Sequence, residues 1–179
     1  MVHYGSYAMN VMRIEKAYKA MGSELTTEIT PVEADLGRFV DYSTDFIGRT
    51  ATQEREAMGD DVEMICVYCE VDTDDNDVRG NEPIYDGDKR IGITTSGTYG
   101  HTVGKGLAFA YVAPQYKAPG SNFDIVLMGD RRLATALDGP AYDPSSEKPR
   151  AASVERRWLL DTSYAADSDP RLTSESGPC

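Results

Sequence analysis

Ile91-Gly92-Ile93-Thr94-Thr95-Ser96-Gly97-Thr98-Tyr99-Gly100-His101-Thr102-Val103-Gly104-Lys105-Gly106-Leu107-Ala108-Phe109-Ala110-Tyr111-Val112 is the stretch that decides the fold. Residues 91–95 and 107–112 are β-favouring runs, and the connector between them holds Gly97, Gly100, Gly104 and Gly106. Glycine accepts positive φ and close backbone approach, so this density predicts a tight turn between paired strands. In the second run Leu107, Phe109 and Tyr111 share one face, and Ala108, Ala110 and Val112 the other. A period of two that is apolar on both sides is the mark of a strand buried in a barrel or sandwich.

The glycines do not make a phosphate loop. That motif needs four residues between its first glycine and Gly-Lys-Ser/Thr. Here three residues separate Gly100 from Gly104-Lys105, and Gly106 stands where the hydroxyl belongs. A dinucleotide fingerprint would open a helix, whereas the residues after Gly106 have the pattern of a strand.

Outward from this core, residues 62–71, 83–85, 90–91, 123–128 and 133–137 also have strand character. Asp86-Gly87-Asp88-Lys89 and Gly129-Asp130 supply the turns. Five or six strands in about eighty residues with short turns predict a small antiparallel β-barrel.

The N-terminal part differs. Residues 7–21 predict an amphipathic helix, with Ala8, Val11, Met12, Ile14, Tyr18 and Met21 at three- and four-residue steps. Gly22 is the expected C-cap, with Lys19 in the last turn and its stem laid along the apolar stripe. Residues 32–40 form a short run after Pro31. A second helix is expected from Thr50, with a Thr50-x-x-Gln53 capping box and Gly59 as its stop. The fold class is therefore α+β, a helical segment followed by a small antiparallel barrel. Residues 142–179 are rich in proline, serine and charge and predict a mostly disordered tail, with one apolar cluster at Val154, Trp158, Leu159 and Leu160.

With 179 residues, 40% hydrophobic and 27% charged, the chain has ordinary globular composition. A net charge of −12 and a pI near 4.5 argue against nucleic acid and anionic membrane as partners. No apolar run approaches a transmembrane span. The first residues are neither a signal nor a transit peptide, so a cytoplasmic location is expected.

The catalytic inventory is thin. His3 and His101 are the only histidines, and no Gly-x-Ser-x-Gly elbow or His-Glu-x-x-His site occurs. Cys66 and Cys69 form Cys-x-x-Cys, but three apart on a strand they point to opposite faces and are expected to be buried apolar residues. Asp72-x-Asp74-x-Asn76 begins like a calcium loop, then fails at Asp77, where glycine is needed, and at Pro83, where glutamate is needed. No catalytic residue and no metal ligand is assigned. Arg13 is expected to meet a carboxylate such as Glu33.

Ordered stretches carry a resemblance further. Gly5-Ser6-Tyr7-Ala8-Met9-Asn10-Val11-Met12-Arg13-Ile14-Glu15-Lys16-Ala17-Tyr18 resembles the helix near the end of the folate-binding domain in the dimethylglycine/sarcosine dehydrogenase family. Thr30-Pro31-Val32-Glu33-Ala34-Asp35-Leu36 and Asp45-Phe46-Ile47-Gly48-Arg49 are similar to the same family's next landmarks, as are Val71-Asp72-Thr73-Asp74-Asp75 and Gly80-Asn81-Glu82-Pro83-Ile84. So is the segment from Thr94 through Lys105 to Val112. The likeness is collinear over residues 4–147, and shorter pieces are shared with the glycine-cleavage T-protein.

That resemblance implies residues 1–48 as the end of a T-protein-like folate-binding domain, residues 49–141 as the C-terminal barrel, and 142–179 as a tail. It implies a part in tetrahydrofolate binding and aminomethyl transfer within a larger enzyme whose FAD domain lies upstream. The chain is then expected to be a piece, a gene remnant or one subunit of a split enzyme, inactive alone, whose partner is the upstream flavin and folate-binding half; a homo-oligomer is the other expected assembly. A location in the mitochondrial matrix would follow if it belongs to a eukaryotic enzyme. Arg38 stands where the family often has an aromatic residue, and is implied as a cofactor contact through its guanidinium; Tyr18 is a second such residue, set against ordinary core packing. The alternative function is a non-catalytic β-barrel module that docks onto a partner.

Overall fold

The computed structural model describes residues 4–73 and 75–151, which fall into two compact units divided after Pro144. The first unit runs through α1 (Ser6–Glu15), α2 (Arg49–Ala57), six strands and short 3-10 turns at Gly37–Phe39, Gly59–Asp61 and Pro114–Tyr116. These are β1 (Ile65–Val71), β2 (Pro83–Asp86), β3 (Lys89–Gly100), β4 (Lys105–Val112), β5 (Asn122–Leu127) and β6 (Asp130–Ala136). In the second unit, α3 (Glu147–Ala151) is one exposed turn and a half.

The strands close into an antiparallel barrel in the order β1-β4-β3-β2-β5-β6. The expected small antiparallel barrel is present, with six strands, built around the hairpin singled out from the sequence. β4 is its centre, paired with β1 from Ile65↔Val112 to Val71↔Gly106 and with β3 from Gly92↔Val112 to Gly100↔Lys105.

Both faces of β4 are buried for different reasons. Ala108, Ala110 and Val112 point into the barrel with Val67, Cys69, Val71, Ile84, Ile125, Ala134 and Ala136. Leu107, Phe109 and Tyr111 point out and form a second core with Ile14 of α1, Cys66 and Tyr68. Phe123, Ile91 and Leu127 fill the interior alongside these residues, leaving β4 room there only for small side chains, so its larger ones lie on the outer face and need a cover. The N-terminal segment is that cover.

The glycines act mostly by being small. A Cβ at Gly97 would lie 2.4 Å from the Val78 Cβ, so the loop before β2 can lie flat on β3 only at a glycine. Gly104, at φ +69°, makes the turn itself. The strands therefore run further than predicted, and only four residues separate β3 from β4.

Several expectations are corrected. α1 ends at Glu15, not at 21. Ala17 takes a left-handed conformation at φ +55°, the Ala17 N–H donates to Ile14 O at 2.9 Å, and Tyr18 N–H donates to Arg13 O at 2.8 Å. This is a Schellman closure, usually signalled by glycine and here made by alanine. Gly22 is thus no C-cap, and Lys19 reaches its place from a loop, its Nζ 3.7 Å from Asp35 Oδ2 and 5.8 Å from the Phe109 ring centroid. α2 is capped by Gly48 with no side-chain cap, so the Thr50–Gln53 box does not form. The run expected over 32–40 is a turn followed by the 3-10 segment. The first residues of the expected tail are fastened, with Tyr142 N–H donating to Glu15 O at 3.0 Å and Lys16 pairing with Asp143. Val154, Trp158, Leu159 and Leu160 lie outside the described residues.

Candidate functional site: the N-terminal surface and its buried carboxylates

Three glutamates of the N-terminal segment are buried, and each anchors the segment to the rest of the first unit. Burying a carboxylate is costly unless it is fully paired, so their partners matter. Glu24 is completely buried. Its Oε2 accepts from Ala20 N at 2.8 Å and lies 3.2 Å from Arg13 Nη1; its Oε1 accepts from Thr95 Oγ1 at 2.8 Å and from the Ser96 hydroxyl. Arg13 Nη2 also donates to Ser96 Oγ at 3.0 Å, and Tyr111 OH donates to Glu24 O at 2.8 Å. Neighbouring strand residues normally face opposite sides. Here the β3–β4 register shifts between Thr94 and Ser96, and that bulge brings both hydroxyls to one carboxylate.

Arg13 therefore meets Glu24, not Glu33. Glu33 accepts from Thr30 N at 3.0 Å, from Thr30 Oγ1 at 2.6 Å and from Arg55 of α2. Burial would raise its pKa, but the Thr30 and Arg55 hydrogen bonds outweigh that and hold it below the usual glutamate value. Arg13 is not free for Glu33, since its guanidinium is taken up by Tyr18 O, Glu24 and Ser96. Glu15, the third, accepts from Thr102 N at 2.7 Å and so fixes the β3–β4 turn.

On the outside of this framework lie the two expected cofactor contacts. Arg38 sits in the 3-10 turn with its guanidinium 4.8 Å from the ring centroid of Phe39, itself 70% exposed. Tyr18 is 61% exposed and does not pack in the core. The early end of α1 is the reason, since past Ala17 the helical period no longer applies. Lys19 and Asp35 pair at 3.7 Å, joining the loop that bears Tyr18 to the turn before Arg38. The outer surface of α1 is apolar as well, with Tyr7, Met9 and Met12 exposed, and Met21 lies exposed beyond its C-terminal end.

Elsewhere the structure offers little chemistry. His101 is exposed and edge-on to Tyr99, at 5.3 Å between ring centroids. Asp75 pairs with Arg132 at 2.9 Å, and no group of metal-ligating side chains occurs among the described residues. Two clefts, of about 280 and 410 Å³, lie by the acidic loop and by the β3–β4 turn, and neither includes Arg38 or Tyr18. Cys66 and Cys69 are buried, and burial pushes both thiols up to about 12. No described helix is long and apolar enough to cross a membrane.

Residues 65–143 match the glycine cleavage T-protein C-terminal barrel domain, and residues 1–44 match the GCVT N-terminal domain. The chain belongs to the glycine-cleavage T-protein family. Dimethylglycine dehydrogenase, mitochondrial, from Mus musculus is 40% identical over 139 residues, which is 76% of this chain and 16% of that protein. Aminomethyltransferase from Aquifex aeolicus is 35% identical over 127 residues, 71% of this chain and 35% of that protein. The crystal structure of glycine cleavage system aminomethyltransferase T from Bartonella henselae shares the fold, with a TM-score of 0.70 at 24% identity over 76% of this chain and 38% of that one. This T-protein-like chain thus spans about one sixth of the length of the dimethylglycine dehydrogenases it matches. In T-protein terms, the barrel is the C-terminal domain, and Arg13, Tyr18, Glu24 and Arg38 stand in the segment matching the N-terminal one.

The Arg13–Glu24 clamp was missed by sequence reading. Its one local signal is a lone Glu24 amid a polar loop, and the hydroxyl partners stand more than seventy residues away.

Proposed function

We propose that this chain forms one wall of a tetrahydrofolate site in an aminomethyl-transferring, dimethylglycine/sarcosine dehydrogenase-like enzyme. The observation that carries the reading is the exposed Arg38–Phe39 stack, on a segment that matches the GCVT N-terminal domain. A guanidinium presented this way can stack on a pterin ring or pair with the glutamate tail of folate. Tyr18 is the second contact on the same segment. By descent we divide the chain at 48/49 and 141/142, although the first two parts pack as one unit.

The rest of the site belongs to an upstream half that holds flavin and completes the folate pocket, and the exposed Met9 and Met12 face of α1 is where that half rests. Dimethylglycine dehydrogenase relatives that are mitochondrial support a matrix location for such an enzyme. Mixing the chain with the flavin and folate-binding half of a dimethylglycine dehydrogenase tests the reading. Tetrahydrofolate should quench the intrinsic fluorescence of the pair saturably, and Arg38→Ala should weaken binding about tenfold, the loss of roughly one charge-assisted contact. A pair without affinity overturns it.

The doubly apolar α1 favours a second reading, a barrel module that docks without catalysis. That reading predicts a stable pair with no folate affinity, so the same titration separates the two.

A further inference from the structure

We propose that Glu24 is a positioning residue that sets the place of Tyr18 from inside the fold. The inference rests on the folate-wall reading above, in which Tyr18 faces the ligand.

Tyr18 is held by its backbone on both sides of its side chain. Its N–H donates to Arg13 O at 2.8 Å, and its carbonyl accepts from Arg13 Nη1 at 3.1 Å. That same Nη1 is the atom paired with Glu24 Oε2 at 3.2 Å. Two residues on, Ala20 N–H donates to the same carboxylate at 2.8 Å, and Leu25 N–H donates back to Ala20 O at 3.0 Å. The loop from α1 to Glu24 is thereby closed on itself around one carboxylate.

The other side of that carboxylate belongs to the barrel. Thr95 and Ser96 reach Oε1 only because β3 is bulged there, and Tyr111 of β4 holds the Glu24 carbonyl. Glu24 is completely buried and cannot touch a ligand, whereas the Tyr18 phenol stands in solvent. Buried ion pairs add little net stability over apolar side chains of similar volume, so stability alone is a poor account of a carboxylate with four partners here. A fully satisfied buried polar network does fix geometry. The bulge, the guanidinium and the loop closure all converge on that one effect: an exposed ring on a rigid base tied to β3.

Two variants in the reconstituted pair test this, Glu24→Gln and the milder Ser96→Ala. Glutamine keeps an acceptor on one side only, for Thr95 or for Ala20, which meet different oxygens of the carboxylate, and it removes the charge that holds Arg13. Tetrahydrofolate affinity should fall about tenfold in Glu24→Gln and about threefold in Ser96→Ala. Amide exchange at Tyr18 and Leu25 should quicken at least tenfold in Glu24→Gln, while β4 amides stay as protected as before. Wild-type affinity in both variants overturns the inference. Equal loosening of β4 and the loop overturns it too, since that is a merely structural role. A wild-type pair without folate affinity removes the functional reading, and the inference with it; that failure is recognised before any variant is made.

Discussion

Cys66 and Cys69, three residues apart on β1, stand on opposite sides of the barrel wall. Cys66 packs outward with Ile14, Phe109 and Tyr111, and Cys69 inward with Ala108 and Ala136. The pair therefore has neither the geometry of a disulfide nor that of a metal clip.

Burial that pushes both thiols up to about 12 also makes them unreactive, because the thiolate is the nucleophile. Native protein treated with iodoacetamide at pH 8 should carry no label at Cys66 or Cys69 by mass spectrometry. Rapid alkylation of either under native conditions would contradict the packing.

Glu82 ties the loop before β2 to β3. Its carboxylate accepts from Arg79 N at 3.0 Å, from Gly80 N at 2.8 Å and from the Thr94 hydroxyl. Burial alone would raise its pKa, but these bonds win and hold it below the usual glutamate value. A folded value below the unfolded one gives stability that is present above the unfolded pKa and lost as pH falls through the folded one. Glu82→Gln should cost about 1–2 kcal/mol in urea unfolding at pH 7. The gap to wild type should narrow as pH drops below about 4.3, the ordinary glutamate value; a gap that widens in acid would show the sign to be wrong.

A Cβ added at Gly97 would lie 2.4 Å from the Val78 Cβ and 2.9 Å from its carbonyl oxygen, with backbone as well as side chain in the way. Gly97→Ala should destabilise the barrel by about 1–3 kcal/mol, the usual range for overpacking a tight site. Gly37→Ala, with nothing within 4 Å of the new methyl, should stay within about 0.5 kcal/mol of wild type. Thermal melts of the two variants side by side decide the matter.

Ala17 closes α1 from a left-handed conformation that glycine adopts at no steric cost. Ala17→Gly should raise stability by about 0.5–1 kcal/mol, since relief of the Cβ clash exceeds the loss of one half-buried methyl. Ala17→Val should lower it by more than 1 kcal/mol, because a β-branched side chain is least tolerated there. A destabilised glycine variant would mean the methyl's packing against the outer core matters more.

The barrel was legible because its signals are local. Alternation along 107–112, turn residues at Asp86-Gly87 and Gly129-Asp130, and cysteines of opposite parity each need only a few neighbouring residues to be interpreted. The family's stretches were legible for the same reason, as short ordered strings. What the sequence did not reveal depends on residues far apart. Thr95 and Ser96 share the Glu24 carboxylate across more than seventy residues, and only the closed barrel brings them together. That clamp decides which partner Arg13 takes, and with the alanine at position 17 it decides where α1 stops. Tyr18 thereby passes from an apparent core position to the surface, because helical periodicity has no meaning once the chain has left the helix. Sequence periodicity determined which faces of the strands would be apolar; the tertiary structure decided that on β4 the small residues face the interior, beside Phe123 and Ile125 of β5, and the large ones face α1, since only closure sets how much volume is left inside for β4.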